Sequence, residues 1–246
     1  MSLCTRSRMP THLPANAVHI WQRPLVLPPT QLEQLAASLS PEERQRLESC
    51  RLARQRTTWI AVRGTLRLLL GHYLDQSPGA LSFCYTPDGK PYLAGDAPRL
   101  SFNVTHSGQW GLYAISRSTE LGVDLEQIRP MPPEKSLRLA RRFFSSAEYA
   151  ALSGLPPEQV QEAFFACWSR KEAYIKRHGL SMARLLAQFS VTVDPVGPPV
   201  LLETPWRPAD VAHCRLYDLP APTGYRAALA LASSEPFDLR YAILET

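Results

Sequence analysis

Cysteine is sparse and scattered in this chain. Its five residues, Cys4, Cys50, Cys84, Cys167 and Cys214, form no CxxC or Cys/His cluster. That pattern excludes a disulfide framework, gives no sign of a zinc site and fits a reducing cytoplasm. Long apolar runs are missing too: the Leu68-Leu69-Leu70 patch is bounded by Arg67 and His72, far short of the ~20 residues of a membrane span. The first ten residues carry Arg6 and Arg8 with no apolar stretch behind them, so no secretory signal is expected. Neither an internal repeat nor a long linker is visible. Acidic residues are in deficit, 22 against 27 basic ones, and the net charge of +5 favours anionic partners such as phosphates, nucleic acid or acidic proteins. What is present is ordinary globular material. With 246 residues, 45% of them hydrophobic, the chain can bury one large core or two modest ones.

The alternation Val18-His19-Ile20-Trp21, set among prolines, predicts an extended first strand within 11–29. Ser40-Pro41-Glu42-Glu43 predicts a capped helix start, with Ser40 and Glu43 as a capping box and Pro41 at the first helical position. The helix should run, with a possible break, to about Leu74, and it carries Arg44, Arg46, Arg51, Arg54, Arg56, Arg63 and Arg67. A solvated face is the plainer reading of most of these arginines. Pro87-Asp88-Gly89-Lys90-Pro91 predicts a turn between short strands. Strands are expected at 100–105, 110–116 and 121–126, helices over 134–153 and 157–178, and strands again at 189–193, 214–217, 225–232 and 239–244. Both halves therefore mix a helical region with strands, an α+β pattern.

Three strings carry chemistry. In Gly122-Val123-Asp124-Leu125-Glu126 the two acids lie two apart in a strand and share one face. They repel unless a cation intervenes or one is protonated, and magnesium suits such oxygen donors; an exposed edge strand is the alternative. In Trp168-Ser169-Arg170-Lys171-Glu172-Ala173-Tyr174-Ile175-Lys176, helical spacing puts Trp168, Glu172 and Lys176 on one face, with Phe165 near it. An exposed Glu–Lys pair is worth only about 0.3–0.5 kcal/mol, but burial beside Trp168 makes unpaired charges costly and asks for a metal and a phosphate as partners. Phe102-Asn103-Val104-Thr105-His106-Ser107-Gly108 reads as strand then turn, with Thr105 and His106 at the strand end, where side chains and amides can meet an anion.

Taken together these strings resemble the 4′-phosphopantetheinyl transferases of the surfactin-synthetase-activating type. GVDLE is similar to the family's GxDxE motif, WSRKEAYIK to WxxKE(A/S)xxK, FNVTHSG to FN(I/V)SHS(G), DGKP to its GKP turn, and Arg142 to Glu148 to its RFFxxxE segment. The five motifs are collinear over about residues 40–195, and the wording of the second resembles the subgroup serving nonribosomal peptide and polyketide carriers.

The resemblance implies a pseudo-twofold pair of α+β halves, 1–118 and 119–246, with the ligand in the cleft between them. It implies transfer of 4′-phosphopantetheine from coenzyme A to a serine of an apo acyl or peptidyl carrier protein, releasing 3′,5′-ADP, by a cytoplasmic monomer. Asp124, Glu126 and Glu172 match magnesium ligands. Lys176, His106 and Thr105 match residues near the coenzyme A phosphates, Thr105 standing where the family has serine. Gly89, Lys90 and Pro91 match the turn against the nucleotide, and Arg46 a basic position near its 3′-phosphate, with Arg44, Arg54, Arg56 and Arg63 as further candidates. Glu43 and Thr58 stand where some members are basic. Glu148 and Glu172 both match glutamates considered as the base. Two rivals stay open: a magnesium-dependent phosphodiester hydrolase, and a basic nucleic-acid-binding protein that would leave the three acids unexplained.

Overall fold

The computed structural model describes residues 12–95, 100–180 and 185–245. The chain divides by its own packing into two units: 1–85 with 91–118 and 238–246, and 86–90 with 119–237.

In the first unit, β1 (Ala17–Pro24) is followed by α1 (Pro29–Ala37), α2 (Pro41–Glu48) and α3 (Ala53–Leu74). A hairpin of β2 (Phe83–Tyr85) and β3 (Pro91–Leu93) precedes β4 (Ser101–Ser107) and β5 (Trp110–Ser116). The α1 helix went unread in the sequence; Pro28 and Pro29 at its N-cap and first position start it. The capping box at Ser40 and Glu43 forms as expected. The anticipated long helix is broken at Ser49–Leu52, where the Ser49 hydroxyl turns back to donate to the Arg46 carbonyl. Leu66, Leu69 and Leu70 of α3 join Trp21, Phe102, Tyr113 and Ile115 of the sheet in one core. Glu43 is buried in the same unit and accepts from Nε of both Arg63 and Arg67. Glu43 thereby neutralises two arginines that α3 buries.

In the second unit, β6 (Leu121–Gln127) leads into α4 (Pro133–Phe143), α5 (Ser146–Ser153) and α6 (Pro157–His178). Then follow β7 (Ser190–Val191), β8 (Leu201–Glu203), the short α7 (Asp210–His213), β9 (Arg215–Leu219) and β10 (Tyr225–Leu231). The sheet order is β6-β10-β9, antiparallel. Phe144, Leu152, Phe164, Tyr174, Phe189, Val191 and Ala228 form its core, and each large side chain so buried contributes about 1.5–3 kcal/mol. The last strand, β11 (Asp238–Ile243), leaves this unit and pairs in parallel with β1, giving the first unit a sheet of order β11-β1-β5-β4.

Each unit holds a histidine drawn into its interior, His19 buried and His178 half-buried. His19 shares a 2.6 Å hydrogen bond with the Tyr73 hydroxyl, and His178 a 2.8 Å one with Asp210 Oδ2. Burial, reinforced by Arg240 for His19 and by Arg177 for His178, pushes both down to about 4 from 6.5. A folded value below the unfolded one means the fold excludes the proton. This contribution is therefore whole above pH 6.5 and is lost as pH falls towards 4. The midpoint of thermal unfolding should drop across that window, and less steeply in His178→Gln. Identical pH slopes in the two proteins would rule His178 out.

Candidate active site

Within the second unit β6 lies directly on α6, and Gly122 makes this possible. A Cβ there would stand 2.1 Å from the Arg177 nitrogen, 2.2 Å from the Ala173 oxygen and 2.7 Å from the Lys176 carbonyl carbon, all of them helix backbone. The close approach carries the two acids of β6 to the charged face of α6. Asp124, Glu126 and Glu172 each present a carboxylate oxygen within 4.8 Å of the others. Asp124 and Glu172 are buried and Glu126 half-buried.

Cationic and neutral donors bind this trio. Lys176 Nζ stands 2.5 Å from Asp124 Oδ1 and 3.5 Å from a Glu172 oxygen, and the Trp168 indole donates to Glu126 Oε1 at 3.2 Å. Burial first, then the charges of Asp124 and Glu126, push Glu172 up to about 8 despite Lys176. The charges of Asp124 and Glu172 outweigh burial at Lys176 and hold its ammonium above the usual lysine range. Three converging carboxylates, one of them reluctant to ionise, are a donor set for a hard divalent cation. The residues present therefore fit magnesium.

The other expected residues lie as follows. Glu148 is not brought to the cluster. It is buried at the start of α5, where it completes a capping box with Ser145, and it accepts 2.7 Å bonds from Lys171. In the turn 86–90, Gly89 takes φ 89° and its amide donates to the Thr86 carbonyl. Lys90 Nζ donates to the carbonyls of Leu121 (2.9 Å) and Arg177 (2.7 Å), tying the turn to the start of β6 and the end of α6. Burial pushes Lys90 down to about 8. Pro91 opens β3 in the first unit. There, too, Thr105 is buried and His106 exposed near the end of β4, just before the tight turn at Gly108. Arg46 is exposed in the last turn of α2, and Arg44, Arg54 and Arg56 are exposed as well. Arg63 leaves the set of free phosphate grips, because Glu43, the Tyr85 hydroxyl and the Phe83 ring engage its guanidinium.

Two features escaped the reading of the sequence. One is the steric role of Gly122, which only the strand-on-helix contact reveals. The other is the burial of Lys171 and Arg170, neighbours of Glu172 that point away from it. Arg170 is held by Asp218 of β9 and by the carbonyls of Thr192 and Asp194. A Lys-Glu dipeptide inside an apolar helix was the available signal, since charge at that depth requires a partner.

Comparison with known proteins defines the class. The model of the 4′-phosphopantetheinyl transferase superfamily matches residues 120–230, and that of the 4′-phosphopantetheinyl transferase N-terminal region matches 28–118. The chain is 40% identical over 194 residues to the 4′-phosphopantetheinyl transferase HetI of a Nostoc species, covering 78% of this chain and 80% of that protein. It is 30% identical over 209 residues to Sfp of Bacillus subtilis (81% and 85% covered) and 33% identical over 185 residues to AcpT of Escherichia coli O157:H7 (75% and 79% covered). The chain belongs to the 4′-phosphopantetheinyl transferase superfamily and is an enzyme of that kind. Neither the hydrolase nor the nucleic-acid reading accounts for matches spanning both halves of the sequence. Among the described residues, no helix is long and apolar enough to cross a membrane.

Proposed function

We propose that the protein, acting as a single chain, moves 4′-phosphopantetheine from coenzyme A to the serine of an apo acyl or peptidyl carrier protein. The observation that carries this reading is the gathering of Asp124, Glu126, Glu172 and Lys176 on one strand–helix contact. The serine oxygen forms a bond to the β-phosphorus of coenzyme A. The bond from that phosphorus to the bridging oxygen breaks, and 3′,5′-ADP leaves with the electron pair. Glu172, the one candidate base at the cluster, accepts the serine proton.

Asp124, Glu126 and Glu172 would hold magnesium, which when bound supplies charge stabilisation to the diphosphate. Lys176 turns its ammonium to a diphosphate oxygen. Thr105 and His106 meet the phosphates, Arg46 lies near the 3′-phosphate, and the backbone of the Gly89-Lys90-Pro91 turn borders the nucleotide. Lys135, Arg138, Arg141 and Arg142 are exposed on α4, a basic surface that favours encounter with an acidic carrier protein.

Incubation with coenzyme A, magnesium and a panel of apo carrier proteins, read by intact mass, tests the reading. Addition of one phosphopantetheine to the carrier is expected. Cleavage of coenzyme A without a modified carrier would return the hydrolase.

Lys176 offers a sharper check, because the same ammonium neutralises the acids. Lys176→Met should slow transfer and weaken coenzyme A binding. It should also bind Mn2+ more tightly than wild type when coenzyme A is absent, by roughly tenfold, the equivalent of about 1.4 kcal/mol of lost competition. Unchanged coenzyme A and Mn2+ affinities in this variant would leave Lys176 as a helix-surface ion pair.

A further inference from the structure

We infer that Glu148 and Lys171 form a positioning pair for Glu172, and that Glu148 is not the base of the reaction. The inference rests on the metal-site reading above. The side chains of Lys171 and Glu148 are 0% and 1% exposed, so neither meets a substrate from solvent. Their hydrogen-bonding capacity is spent inside the fold. Lys171 Nζ donates to both oxygens of Glu148 at 2.7 Å and to the Phe189 carbonyl at 2.6 Å, which uses its three protons. The carboxylate also accepts from the amides of Val191 at 2.7 Å and Ser145 at 2.8 Å. The ammonium sits 4.0 Å over the Phe189 ring as well. A base with so many donors trained on its ionised form has no free lone pair for a serine proton.

Consecutive residues of a helix diverge by about 100°. A helix that points Lys171 at α5 and β7 must therefore point Glu172 elsewhere, and elsewhere is β6 with Asp124 and Glu126. Arg170, clamped to Asp218 of β9, fixes the same turn of α6 from the other side. Sliding or rotating α6 by one residue would unpair Lys171 in an apolar interior. The pair thus fixes the rotation and height of α6, and through them the separation of Glu172 from the two acids of β6.

The test compares Glu148→Gln, Lys171→Met and the double variant Glu148→Met/Lys171→Met in the full chain. The double variant buries no charge and keeps the apolar volume, so it is the one to read if a single variant does not fold. Mn2+ affinity by calorimetry, kcat, the KM for coenzyme A and the pH–rate profile are measured where circular dichroism shows a native fold. Loss of a group that orients a metal ligand weakens metal affinity by about 10–100-fold. Such a loss is expected in each variant, with the double less than the sum of the singles and the pH profile unchanged in shape. A Glu148→Gln protein that binds Mn2+ like wild type but loses the ascending limb of its pH profile would make Glu148 the base and overturn the inference. So would variants that lose thermal stability alone while keeping Mn2+ affinity and KM. Absence of Mn2+ binding to the wild-type protein would sink the metal reading and the inference with it.

Discussion

Gly122→Ala is expected to be nearly inactive and markedly less stable than the wild-type protein. The added methyl would sit 2.1 Å and 2.2 Å from backbone atoms of Arg177 and Ala173, and backbone cannot step aside as a long side chain can. The strand must lift off α6, against a pairing of β6 with β10 that runs from Leu121 to Gln127. Overpacking of this kind costs about 1–3 kcal/mol or more. At roughly 2–4 °C per kcal/mol for a chain of this size, the melting temperature should fall by about 5–10 °C. The functional loss should exceed what the stability loss explains. Asp124 and Glu126 ride on the displaced strand while Glu172 and Lys176 stay behind, and a displacement of about 1 Å at a reacting centre costs on the order of 10²-fold in rate. Calorimetry, Mn2+ titration and the carrier-loading assay on the folded fraction check this. A soluble variant with wild-type melting temperature and Mn2+ affinity would show that the contact yields more easily than the geometry allows.

Asp124→Ala should have the larger effect on chemistry and little on the fold. Asp124 is buried in a crowd of like charge, and its own charge is the second cause, after burial, of the raised value at Glu172. Removing it relieves that repulsion, and Lys176 keeps Glu172 as a neighbour at 3.5 Å, so the metal-free melting temperature should change little. Transfer should fall by about 10³-fold or more, since charge stabilisation by a bound divalent ion is worth several kcal/mol and each 1.36 kcal/mol is tenfold. The stabilisation that magnesium gives the wild-type protein by mass action should vanish as well. Glu126→Ala should lose less, because that residue is only half-buried and water can complete a magnesium shell. Normal turnover of Asp124→Ala at saturating magnesium would remove the site from the mechanism.

The sequence by itself determined what short-range periodicity can encode. A spacing of two puts Asp124 and Glu126 on one side of a strand, and a spacing of four puts Trp168, Glu172 and Lys176 on one side of a helix, because strand and helix repeats are properties of the local backbone. Ser40 with Glu43 marked a helix start for the same reason, and the helix over 157–178 was legible from its proline start and its apolar spacing. Only the tertiary structure decided which faces meet. That β6 lies against α6 depends on the missing side chain of Gly122, which a sequence shows merely as a glycine. That Glu148 is buried against Lys171, and Glu43 against Arg63 and Arg67, depends on residues 20 to 24 positions apart. No periodicity links such residues. The return of β11 to β1 follows the same logic, joining Asp238 to Ala17 across nearly the whole chain. Contacts of this kind are selected by the burial of apolar surface and the pairing of buried charge, which act on the assembled core and leave no regular trace along the chain.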